Sequence, residues 1–186
     1  MPEPVRLSPV TDNHFLAFGA IIHLFARHEF LMIGIVSALT GATIFHTAML
    51  MAELPYRGKR DTVLALIKLL LSHTQVEQIK GYLGQLHTWN ALRNSIAHST
   101  WVEGARPDSI KAFGMSVRGG EADPKGVGED ERDYTAKELN DISDQLKRLH
   151  TRFRKYLDSQ NLLGVRESKA DKSASTSSSP GTPSAK

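Results

Sequence analysis

Three polar residues near the middle of the chain have types and a spacing that could perform chemistry: Arg93, Asn94 and His98. The apolar stripe of the helix predicted before them ends at Leu86, and further helical steps lead through Asn90 to Arg93. A guanidinium therefore stands where a helical bundle would bury an aliphatic side chain. Since burying a lone charge is costly, Arg93 needs a carboxylate partner, a solvated cleft or an anionic ligand.

The spacing within this segment limits which side chains can act together. Asn94 and His98 are four residues apart and share one face of a helix. Arg93 and His98 are five residues apart, which separates them by about 140° on a straight helix. They can converge if the long arginine side chain bends, if the helix ends near His98, or if a second subunit completes the site.

The composition excludes several kinds of site. Cysteine is absent from the 186 residues, which rules out disulfides, cysteine–zinc sites, iron–sulfur clusters and thiol nucleophiles. The sequence contains neither the HExxH pattern of zinc peptidases nor a glycine-rich phosphate loop. We therefore predict no metal site and no cofactor.

Charge is nearly balanced over the whole chain, with 23 Lys and Arg against 20 Asp and Glu. This mild basicity permits a nucleic-acid partner but does not require one. One local run is strongly basic, because five bases and no acid lie between Gln145 and Leu157. The run could bind RNA phosphates or form a solvated outer face. Its members are Lys147, Arg148, Arg152, Arg154 and Lys155.

The elements that must position these residues are mainly helical, and we predict an all-α fold in one domain. Residues 1–12 are a flexible leader, 13–163 are the helical domain, and 164–186 have the composition of a disordered tail. Short extended segments over 100–118 form a hairpin-like insertion before the last helix, followed by an acidic loop over 119–133.

Local signals predict where most helices begin and end. Gly41 is typical of a helix end, and Thr135 with Glu138 forms a capping box at the start of the last helix. Leu54–Gly58 is predicted to be a turn. The predicted helices cover residues 13–39, a short segment from Ala42, Thr62–Ser72 capped by Asp61, a continuous helix from near Gln75 past Leu92, and a last helix from Thr135.

Residues 30–52 contain no Asp, Glu, Lys or Arg over 23 positions, a length that could cross a bilayer. Because Gly41 divides this stretch, we predict a buried pair of helices in a soluble bundle, with a single membrane span as the alternative. No secretory signal is apparent at the N-terminus, and we expect a cytoplasmic location.

The segment Arg93-Asn94 with His98 after four intervening residues resembles the R-x4-6-H signature of HEPN domains. The resemblance covers about residues 13–160: a long first helix with Glu29, a capped helix from Asp61, the motif at the end of a later helix, and a closing helix. It implies a helical bundle that dimerises through the motif-bearing helices. Many such domains are metal-independent endoribonucleases in toxin–antitoxin and antiviral systems.

The resemblance also implies a role for each residue. His98 would take a proton from an RNA 2′-hydroxyl or give one to the leaving 5′-oxygen. Arg93 would hold the scissile phosphate, and Asn94 would orient the imidazole or bind a phosphate oxygen. DNA lacks the attacking hydroxyl, so cleavage would be limited to RNA. The implied partners are an RNA substrate, a second copy of the chain, and an antitoxin or other protein.

Two alternative interpretations remain open from the sequence. In the first, Arg93 pairs with a carboxylate such as Glu29 and His98 caps a helix end, in a non-catalytic HEPN-like interaction or nucleotide-binding domain. In the second, the chain is a small protein anchored in a membrane by residues 30–52. The basic composition does not decide between these interpretations and an enzyme.

Overall fold

The computed structural model describes residues 10–113, 116–118, 121–123 and 132–163. This part of the chain is mostly helical, with six helices and five short strands, which is compatible with the predicted all-α class. The predicted tail and most of the predicted leader and acidic loop lie outside the described residues. The elements are α1 (Asp12–Thr40), α2 (Ile44–Met51), α3 (Tyr56–Leu70), α4 (His73–Thr88), α5 (Asn90–His98), β1 (Thr100–Glu103), β2 (Ser109–Phe113), β3 (Ser116–Arg118), β4 (Glu121–Asp123), β5 (Tyr134–Thr135) and α6 (Ala136–Ser159).

The long helix α1 is the centre of the bundle and packs against α2, α3, α5 and α6. Apolar residues line more than one of its sides, and Ile21, Phe25 and Ile35 are almost completely buried. A helix with such a wide apolar surface is stable only when several neighbours cover it. It ends where predicted, because Gly41 adopts the left-handed conformation at φ 73° and donates its N–H to the Ser37 carbonyl at 3.0 Å.

The same turn divides residues 30–52 between α1 and α2, so this stretch does not form one continuous helix. The predicted buried helix pair is also wrong in part, since Phe45, Met49 and Leu50 of α2 are all more than 70% exposed. By length and composition alone α1 could cross a membrane, and 44% of its most apolar window is buried inside the protein.

The last helix, α6, confirms its predicted start. The Thr135 hydroxyl accepts the Glu138 N–H at 3.2 Å, and the Glu138 carboxylate accepts the Thr135 N–H at 2.8 Å. Arg106 adds two parallel hydrogen bonds to that carboxylate, at 3.0 and 2.8 Å, and so ties the preceding loop to the helix. An apolar stripe with helical spacing is buried on this helix: Leu139, Ile142, Leu146, Leu149 and Phe153.

Helix α3 begins at Tyr56, six residues before the predicted start at Thr62. The predicted turn at Leu54–Gly58 and the predicted cap at Asp61 are therefore wrong, since the N-cap residue is Pro55. The cause is tertiary: the Tyr56 ring is buried and packs edge-on against Phe25 of α1, with ring centroids 6.2 Å apart.

The predicted continuous helix through Leu92 is also wrong, because it breaks at Trp89 into α4 and α5. Leu86 and Leu92 would lie about 120° apart on a straight helix, so one helix would turn them to different sides. The break allows both side chains to be buried, at 1% and 4% exposure. The motif thus lies on its own short helix.

The predicted hairpin before the last helix is present. Strands β1 and β2 pair antiparallel, and β5 pairs with the other edge of β2, while β3 and β4 form a separate antiparallel pair. Trp101 of β1 packs against Phe18 of α1, with ring centroids 4.8 Å apart, which fixes the small sheet on the bundle. The small sheet therefore begins directly after α5.

Candidate functional site

Arg93 lies in the first half of α5 with its guanidinium at the surface of the bundle. Its Nη1 donates to the Asn94 Oδ1 at 3.1 Å, and its Nη2 lies 3.8 Å from the Glu29 Oε1 on α1. The side chain is 30% exposed. The contact that the non-catalytic interpretation predicts between Arg93 and Glu29 is therefore present, at the edge of the bundle instead of deep inside it.

The Glu29 carboxylate is shared by two cations. Its Oε2 accepts a hydrogen bond from the Lys59 Nζ of α3 at 2.6 Å, much shorter than the approach of Arg93. Glu29 and Lys59 are only 15% and 13% exposed, so this pair is well shielded from water. Because one carboxylate faces two cations, the cluster of Glu29, Lys59 and Arg93 carries an excess positive charge.

Four polar atoms on α5 and α3 are buried without a hydrogen-bond partner. They include the Arg93 Nε and the Asn90 Oδ1 on α5, and the Tyr56 hydroxyl and the Arg60 Nε on α3. Burial is the main cause of the raised pKa of Tyr56; Glu29 raises it further, and Arg60 acts in the opposite direction. Unpaired buried polar atoms are uncommon in folded proteins, and these four lie on the two helices that also carry Lys59 and Arg93.

His98 is the last residue of α5 and is exposed to solvent. Among the described residues, its side chain makes no hydrogen bond or ion pair, with Arg93 or with any other group. The structure therefore brings Arg93 together with Asn94 and Glu29, and leaves His98 separate at the end of the same helix. Asn94 is also exposed, one turn before His98 on the same face.

Lys59 is a site residue that the sequence did not point to as a candidate. It lies thirty residues from its partner Glu29, and no periodicity or motif connects the two. Only the packing of α3 against α1 brings Lys59 to the site.

This arrangement can bind an anion and move a proton. The Arg93 Nη1 and Nη2 atoms each carry two N–H groups, so a partly exposed guanidinium with one contact at each nitrogen keeps donors for a phosphate oxygen. An exposed imidazole can accept or donate a proton. The described part of the chain contains no group of three or more His, Asp or Glu side chains that could hold a metal ion.

Comparison of the chain with family models, curated proteins and solved structures gives no match. The HEPN resemblance of the Arg93–His98 segment therefore stays a prediction. The function proposed below rests on the residues and contacts described above.

Proposed function

We propose that the protein is a metal-independent endoribonuclease of HEPN type that cleaves RNA through Arg93, Asn94 and His98 in the cytoplasm. One observation carries the proposal: the guanidinium of Arg93 is oriented by its neighbours without being neutralised. Lys59 holds the shared carboxylate at 2.6 Å, and Arg93 stands farther away at 3.8 Å with part of its surface in solvent. A half-buried arginine with uncompensated charge fits a phosphate.

The reaction needs only groups that RNA and the protein supply. The 2′-oxygen attacks the adjacent phosphorus, so a P–O2′ bond forms and the P–O5′ bond breaks. The 2′-hydroxyl loses its proton to one base, and the leaving 5′-oxygen gains a proton from one acid. Arg93 stabilises the charge that develops on the non-bridging oxygens. The products are a 2′,3′-cyclic phosphate and a 5′-hydroxyl.

A homodimer is part of the proposal, for two reasons. Arg93 and His98 make no contact within one chain, and their spacing on α5 directs them to different sides of that helix. The reaction also uses an acid and a base in the same turnover, which two imidazoles can supply more readily than one. A second copy packed against α5 would provide both the missing proximity and the second imidazole.

The test is an RNA cleavage assay on the purified full chain with EDTA present. We expect cleavage that yields cyclic phosphate ends, and we expect His98→Ala to abolish it. His23→Ala is the matched control, because His23 is an exposed histidine on α1 that is not part of the motif. An RNA with 2′-O-methyl groups should resist cleavage. Equal cleavage by wild type and His98→Ala, or no cleavage by either, would overturn the proposal.

The contact between Arg93 and Glu29 favours a second candidate, a non-catalytic domain that binds a partner protein or a nucleotide. In that case Arg93 serves the fold, and His98→Ala leaves function intact. Overexpression in cells separates the two candidates. Growth arrest that His98→Ala relieves supports the ribonuclease, and equal growth with both proteins supports the binding domain.

A further inference from the structure

Helix α6 presents a cationic outer face that the candidate site does not use. The five bases between Gln145 and Leu157 are all exposed. The sequence left open whether they bind phosphates or are merely solvated. The structure adds that they border two concave surfaces, one on each side of α6.

The larger groove lies between α6 and the end of α4, with a volume of about 910 Å³. Helix α6 contributes Lys147, Arg148 and Arg152, together with one acid, Asp144. The opposite wall includes the half-buried Trp89, which stands at the junction between α4 and α5. Proteins that bind single-stranded nucleic acids combine aromatic rings with cations, since the bases stack on the rings and the phosphates pair with the positive charges.

The smaller groove lies between α6 and α1, with a volume of about 330 Å³. Its charged residues are Arg27 from α1 and Arg154, Lys155 and Asp158 from α6. Thr151 lines both grooves, so the two surfaces meet across α6. We call this combined surface the α6 grooves.

The charges of the α6 grooves are largely free. Among the described residues, the side chains of Lys147, Arg148 and Lys155 make no ion pair or hydrogen bond. Arg152 donates only to a neutral amide, that of Gln85 at 3.3 Å, and Arg154 lies 3.8 Å from Asp158. The grooves contain six cationic side chains and two acidic ones, while the whole chain has a net charge of only +3.

We propose that the α6 grooves bind single-stranded RNA and guide it to α5. Trp89 connects the two regions, because its carbonyl accepts the Arg93 N–H at 3.0 Å, one turn before the candidate phosphate-binding guanidinium. The choice of RNA over DNA rests on the proposed function, whereas the grooves themselves are independent of it.

The shape and surroundings of the grooves favour a single strand over other anionic partners. The cations surround concave surfaces that admit a flexible strand, whereas a duplex presents a broad convex backbone. Membrane docking would need exposed apolar side chains among the bases, and none of the large exposed apolar residues of the described chain lines either groove.

Fluorescence anisotropy with a labelled single-stranded RNA of about 12 nucleotides, within the usual size of such sites, tests the proposal. The protein is the full chain carrying His98→Ala, so that binding is read without cleavage. We expect binding that weakens with salt, and we expect Arg148→Gln/Arg152→Gln to weaken it about tenfold or more and to lower the salt slope by about 1.4. Trp89→Leu should weaken binding about tenfold with little change in slope.

The matched control is Lys68→Gln/Lys111→Gln, which removes the same charge from exposed positions on α3 and β2. It should bind RNA nearly as wild type does, and thermal melting followed by circular dichroism should show every variant folded. Equal weakening by the control and the groove variant, or tighter binding of duplex RNA than of the single strand, overturns the proposal. Groove-dependent binding by a protein whose wild type cleaves no RNA overturns only the proposed function.

Discussion

Acid should destabilise the protein through a pair of buried histidines between α1 and α6. The His28 and His150 rings meet edge to face with centroids 5.2 Å apart, and their residues are 0% and 5% exposed. The His28 Nδ1 donates a hydrogen bond to the Leu24 carbonyl at 2.8 Å, while its Nε2 is buried without a hydrogen-bond partner. Burial lowers the pKa of both rings, and that of His150 falls to about 4, with positive charge on His28, Arg27 and Arg154 contributing.

The sign of the effect follows from which state binds the proton. In the unfolded chain the pKa of His150 returns to 6.5. Between that pH and about pH 4 the unfolded state therefore binds a proton at His150 that the folded state does not bind. Stability from this group is complete above pH 6.5 and falls until the pH passes the folded value of about 4. One pKa unit corresponds to about 1.4 kcal/mol, so the full loss is about 3 kcal/mol, of which about 2 kcal/mol is lost by about pH 5.

Urea denaturation between about pH 7.5 and pH 5 measures this loss as a fall in the free energy of unfolding. We compare wild type with His150→Gln, which cannot titrate, and with His23→Gln as an exposed control. Wild type and the control should lose about 2 kcal/mol more than His150→Gln over this range. Parallel stability curves for wild type and His150→Gln would refute the reasoning, because they would show that His150 titrates alike in both states.

Three further predictions concern stability at neutral pH and are measured by urea denaturation. Glu29→Gln should lower the free energy of unfolding by about 2 to 4 kcal/mol, because Lys59 and Arg93 lose their shared carboxylate. Asp61→Asn, at an exposed ion pair, should lower it by less than about 1 kcal/mol, and similar losses for the two variants would contradict the burial of Glu29 and Lys59. Gly104→Ala should cost about 1 to 3 kcal/mol, since an added methyl group would collide with neighbouring side chains, and an unchanged midpoint would refute this. Leu83→Ala should lower the free energy of unfolding by about 2 to 5 kcal/mol, and Leu69→Ala should hardly change it, because Leu69 is 78% exposed. A larger loss for Leu69→Ala than for Leu83→Ala would refute this.

The elements that sequence predicted well are those whose signals are local. In α6 the capping box and the apolar stripe lie within the helix itself, so the start at Ala136 and the buried face follow from nearest neighbours along the chain. The end of α1 at Gly41 is of the same kind, because a left-handed residue after a helix depends mainly on the residue type.

The elements that sequence mispredicted depend on distant contacts. Helix α3 extends back to Tyr56 because that ring fits against Phe25, which no local propensity indicates. The break at Trp89 exists because Leu86 and Leu92 must reach one core, and that core is defined by α1 and α6. Apolar composition also predicted burial for α2, where tertiary packing leaves Phe45 exposed.

For the candidate site, the sequence predicted a charge at Arg93 on an apolar stripe, although the helix assumed to carry that stripe breaks at Trp89. How the charge is held depends on the fold, since Glu29 and Lys59 come from helices far away in the chain. The same division applies to α6: the run of bases is visible in the sequence, whereas Trp89 and Arg27 join it only through packing. Periodicity indicates on which face of a helix a side chain lies. Which residue it contacts there depends on which helices pack together around the core.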